Sequence, residues 1–124
     1  MTASLPISTE ELSAFKRVLY DDAVSDWTGL WEVAQQAVHD FPLLRPSEQL
    51  AIAEVAVGQL LDAGLVELYF GDTPYGPYTP IARLEYGTVL GELRYWGNWT
   101  NPVVWVAGDE PTNRETWQSI HDAL

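Results

Sequence analysis

The chain has 124 residues, no cysteine, and 18 acidic against 6 basic residues, for a net charge of −12. That length fits one domain able to bury a core without disulfide or metal staples. The charge repels phosphate backbones and acidic membrane surfaces and draws in cationic partners, although acidity also serves solubility.

At the N-terminus, Met1–Leu12 lacks the basic and apolar regions of a secretory leader, and no apolar run approaches a membrane span, so a cytoplasmic location is expected. Ser8 and Glu11 have the spacing of a capping box, and Leu12, Phe15, Leu19 and Ala23 follow at helical intervals, which predicts a first helix over 8–24. Asp26 reads as the cap of a second helix. Its apolar arc is Trp27, Leu30, Trp31, Ala34, Ala37, Val38 and Phe41, and Pro42 marks its end.

The central stretch, 47–69, reads as a helix capped by Ser47, stopped at Gly64 and continued directly as a strand over 65–70. Leu50, Ile52, Ala53, Ala56, Val57, Leu60 and Leu61 fill one side of the helix, whereas Glu48, Glu54, Gln59 and Asp62 fall opposite. The run Leu60-Leu61-Asp62-Ala63-Gly64-Leu65-Val66-Glu67-Leu68-Tyr69-Phe70-Gly71 resembles the corner between the third helix and the first wing strand of winged-helix domains. The resemblance covers residues 8–70 and implies three helices ahead of the strand. It departs beyond that, because some thirty residues separate this strand from the next strand-like run, where a wing loop is short. DNA binding is the function the resemblance would suggest first. The outward face of the third helix carries acids and no base, which argues against nucleic acid as a partner.

Two glycines and two prolines make 71–78 a loop. Thr79-Pro80 can open a helix whose stripe is Ala82, Tyr86, Val89, Leu90 and Leu93, with a strand pair as the alternative reading. After an aromatic turn at 95–102, Val103–Ala107 is expected to pair antiparallel with the 65–70 strand. Thr112 and Glu115 suggest a last capping box, leading a helix with Trp117, Ile120, His121 and Leu124 on one side. The expected fold is α+β over a single domain, 1–124: three N-terminal helices, a two-stranded antiparallel ribbon with a helical insertion, and a C-terminal helix.

Catalytic motifs are absent from the sequence. There is no G-x-S-x-G elbow, no phosphate-binding G-x-x-x-x-G-K-[ST] and no H-x-x-x-H pair. His39 reads as a surface histidine and His121 as a packed one, while Asp21-Asp22 and Asp109-Glu110 read as solvated acids. No catalytic residue, metal or cofactor is expected. The aromatic residues between 75 and 105 are the most suggestive feature, since aromatics concentrate at interaction hot spots and acids around them suit a basic partner. Tyr75, Tyr78, Trp96 and Trp99 are expected to be exposed, because they lie in Gly-, Pro- and Asn-rich turns, and Asp72 joins them as a partner-binding acid.

The leading functional expectation is a non-catalytic domain that presents an acidic, aromatic-rich surface to a basic protein. An immunity- or antitoxin-type neutraliser fits that description. The alternatives are a small-molecule-binding or enzymatic domain with 71–101 as a pocket wall, a homo-oligomeric structural unit such as a homodimer, and, disfavoured by charge, a winged-helix DNA-binding regulator.

Overall fold

The computed structural model describes residues 5–71, 76–97 and 102–124. It is α+β, with a four-stranded antiparallel sheet in place of the expected two-stranded ribbon. α1 (Thr9–Asp26), α2 (Leu30–Asp40) and α3 (Pro46–Asp62) pack together on one face of the sheet.

The capping box that opens α1 is as expected: Glu11 N–H donates to Ser8 Oγ at 3.1 Å and Ser8 N–H donates to Glu11 Oε1 at 3.0 Å. The start of the second helix is not. Asp26 is the last residue of α1, and β1 (Thr28–Gly29) follows before α2 begins. Thr28 and Gly29 pair with Val106 and Trp105, which holds them extended, so the helix starts only at Leu30 with Gly29 as its cap. Val33 thereby replaces Val38 on the buried side, and Val38 is exposed.

α3 starts two residues earlier than Ser47 allows. Arg45 is the cap and Pro46 occupies the first helical position, where its missing N–H costs nothing. Glu48 accepts from Arg45 N–H at 3.0 Å, and this hydrogen bond, ahead of the Arg45 side chain, holds its carboxyl below the usual range. At the other end the glycine stop is as expected. Gly64 takes φ +72°, its N–H bonds Leu61 O, and Leu65 N–H bonds Leu60 O, which is the Schellman closure.

β2 (Glu67–Gly71) pairs on one side with β4 (Val103–Ala107), as anticipated, and on the other with β3 (Tyr78–Pro80). Thr79 and Pro80 are therefore strand residues rather than a helix start, because pairing with Phe70 and Tyr69 outweighs the local capping signal. Of the expected insertion helix only a 3-10 turn (Arg83–Glu85) and α4 (Tyr86–Leu90) form, and Leu93 lies outside α4 and exposed. α5 (Arg114–Ala123) is capped one residue later than expected, by Asn113, whose Oδ1 accepts from Thr116 N–H at 2.8 Å.

The register divides the sheet into two faces. Thr28, Leu68, Phe70, Val104 and Val106 point to the helices, where Leu68, Val104 and Val106 join Leu30, Ile52 and Leu60 in the core. Gly29, Tyr69, Gly71, Tyr78 and Trp105 point the other way.

Candidate functional site

The outer sheet face is aromatic because of where β2, β3 and β4 place their alternate residues. Tyr69 stands opposite Trp105, and Tyr78 stands opposite Gly71. Gly71 leaves the space into which Trp105 leans: a Cβ built there would lie 2.5 Å from the indole Nε1 and 2.8 Å from Cδ1. Gly29 does the same for Trp31, whose Nε1 would lie 2.7 Å from a Cβ. A larger residue at either glycine would push these indoles off the sheet.

Trp27, in the junction between α1 and β1, completes the cluster. Its ring stacks on Tyr69 at 4.8 Å between centroids and meets Tyr78 at 4.9 Å. Tyr78 in turn meets Trp105 edge-on at 6.4 Å. These are favourable offset and edge-to-face geometries. Trp105 is only 8% exposed, Trp27 and Tyr69 are half-buried and Tyr78 is 40% exposed, so the cluster has a packed floor and an open rim.

Two clefts flank Trp27. The larger, about 720 Å³, runs between Trp27, Tyr78 and Trp105 and carries the carboxylates of Asp26 and Glu32. The smaller, about 330 Å³, lies between Trp27, Tyr69 and the segment leading to α5, and carries Glu67, Asp109 and Glu110. Among the described residues no lysine or arginine lines either one. Five of the six bases are engaged elsewhere: Lys16 with Gln59, Arg17 with His121 O, Arg45 with Glu48, Arg83 with Leu61 O and Arg94 with the Tyr95 hydroxyl. The negative surroundings register on Tyr69. Its phenol is raised above the ordinary value, first by donating to Glu67 Oε2 at 2.9 Å, then by burial and by the charges of Glu67 and Asp109.

Of the residues expected at an interaction surface, Tyr78 lies in this cluster. Asp72, Tyr75 and Trp99 lie outside the described residues. Trp96, in contrast, is 5% exposed and belongs to the core. It ends a 3-10 turn (Leu93–Trp96), and its Nε1–H donates to Leu90 O at 2.8 Å. The turn's backbone stays near the surface while the indole folds inward with its donor satisfied, so a turn position did not imply an exposed ring.

The histidines occupy the places their patterns indicate. His39 is exposed beside Asp40. The side chain of His121 is 12% exposed, stacked on Trp117 at 3.8 Å, with Nε2 2.7 Å from Asp21 Oδ1. Asp21, whose side chain is 44% exposed, thus ties α1 to α5 while staying partly solvated. Among the described residues no three His, Asp or Glu side chains gather as metal ligands, and no helix is long and apolar enough to cross a membrane. No family model matches the chain, and no curated protein or solved structure is significantly similar to it.

Proposed function

We propose that this is a non-catalytic protein-binding domain whose outer sheet face receives a basic protein partner. The observation that carries the reading is the coincidence of four contiguous aromatic rings with five carboxylates and no base along both clefts. Aromatic anchors supply contact area at low entropic cost, and a rim of one sign selects the partner's charge and speeds encounter. An immunity- or antitoxin-type neutraliser of a cationic protein is one form this takes.

Three helices precede β2, the order that the winged-helix resemblance over 8–70 implies. The face of α3 that would meet DNA still exposes Glu54 and Asp62, so a DNA-binding role remains disfavoured by charge.

A photo-activatable phenylalanine analogue at position 78, irradiated in extract of the source cells, tests the reading. A cross-linked protein of basic sequence is expected. Labelling should fall sharply between about 0.1 and 1 M salt, where screening shortens from about 10 to about 3 Å, and it should fail in a Trp27→Ala background. Capture of acidic proteins only, or labelling indifferent to salt, would refute it.

A further inference from the structure

Resting on the binding role just proposed, we infer that the cleft between Trp27, Tyr78 and Trp105 takes an arginine side chain of the partner. The cleft is lined by aromatic rings and by two carboxylates, Asp26 at the end of α1 and Glu32 in the first turn of α2. Arginine matches both at once. Its guanidinium is planar and weakly hydrated, stacks on an indole or phenol ring, and presents a fork of donors in the plane that carboxylates can accept. The ammonium of lysine is a compact, strongly hydrated charge that satisfies a carboxylate but gains less from a ring face.

The two carboxylates differ in how they are held. Glu32 uses Oε1 to accept Gly29 N–H at 3.1 Å, which fixes its side chain over the start of α2 while leaving Oε2 for a ligand. Asp26 is exposed, and its carboxylate has no hydrogen-bond partner among the described residues. A pre-set acceptor and a free one beside packed rings form a recess for one cationic group, with Tyr78 as its exposed wall. The cleft on the other side of Trp27, with Glu67, Asp109 and Glu110, then meets further basic residues of the same partner.

The test is a titration of the whole protein, by calorimetry and tryptophan fluorescence, with a short glycine–arginine peptide and its lysine and citrulline counterparts. The arginine peptide should saturate, the lysine peptide should bind about fivefold more weakly, and neutral citrulline should not bind. The variant Asp26→Asn with Glu32→Gln should weaken the arginine peptide about tenfold. The glutamine retains an oxygen for Gly29 N–H, so the fold is kept, which an unchanged melting temperature would verify. Equal affinity for lysine and arginine, binding of citrulline, or an unaffected double variant would overturn the arginine assignment. If the peptides fail while the position-78 probe still captures a basic protein, the arginine recess falls and the binding role stands. If both fail, the binding role falls with it.

Discussion

Gly71→Ala is the sharpest perturbation of the aromatic face, because one methyl group tests how the cluster is built. The new Cβ would meet Trp105 Nε1 at 2.5 Å, Trp105 Cδ1 at 2.8 Å and Tyr78 Cδ1 at 3.1 Å. Ordinary carbon contacts lie at about 3.5–4.0 Å, so the indole must retreat by about 1 Å, and Trp105 is packed tightly enough that it cannot do so freely. Overpacking of that kind costs about 1–3 kcal/mol. For 124 residues, an unfolding entropy of about 2.1 cal/mol/K per residue makes each kcal/mol worth about 4 °C, so the melting temperature should fall by about 4–12 °C. Gly58→Ala is the control. It lies within α3 with nothing within 4 Å of its added Cβ, so helix propensity should win and raise the melting temperature by a few degrees, for about 0.5–1 kcal/mol. Calorimetric melts together with near-ultraviolet circular dichroism of the indoles would read both. A Gly71→Ala protein with the parent's melting temperature and indole spectrum would show that Trp105 does not lie over Gly71.

Three further outcomes follow from the structure. His121→Ala removes the contact with Asp21 and the stacked Trp117 ring, and should cost about 1–2 kcal/mol, with amide exchange speeding up mainly in α5; uniform loss of protection would contradict a local tie. Asp22 has its carboxyl raised above the ordinary value by burial first and the Asp21 charge second. Its protonated form therefore suits the fold, a contribution complete below the ordinary carboxylate range and lost as pH rises through the raised value. Asp22→Asn should accordingly raise the urea midpoint at neutral pH, with the gain vanishing below about pH 3; a constant gain at every pH would rule out charge as the cause. Ser8→Ala should cost about 1 kcal/mol through the loss of the α1 capping box, and Ser8→Gly only a few tenths, both measured by denaturant melts.

How far the sequence foretells this molecule depends on whether a signal is local. The Ser8 box and the Gly64 stop are local patterns and stand as read, and the strand-forming runs of β2 and β4 are strong enough that their long-range pairing stands as well. Two of the failures share one cause, which is that pairing across the sheet overrides a nearby helix signal. Asp26 and Thr79-Pro80 are good helix starts in isolation, yet Thr28-Gly29 and Thr79-Pro80 are claimed by β4 and β2. The candidate site was half visible for the same reason. Tyr78 and Trp105 fall within the aromatic-rich stretch that the sequence marks, but the helical arc takes in Trp27, which lies outside α2, and Tyr69 reads as ribbon without a face. The available clue was alternation: Tyr69, Gly71 and Trp105 fall on one side of the paired strands, with glycine where a neighbouring indole needs room.

The distribution of charge bears on which partner the face can accept. None of the four strands contains a lysine or arginine, and the six bases all sit on helices, their caps or the insertion. The outer sheet face therefore carries its carboxylates unopposed. A two-fold contact between copies would set the same patch against itself, bringing Asp26, Glu32, Glu67, Asp109 and Glu110 toward their own counterparts. Like charges brought together in an interface cost several kcal/mol, and with −12 on each copy the approach is opposed at long range as well. A basic partner reverses both terms. The arrangement that disfavours self-association through this face would favour the cationic partner proposed above, and burial of the Trp27–Tyr69–Tyr78 rings would then add the contact energy that charge alone lacks.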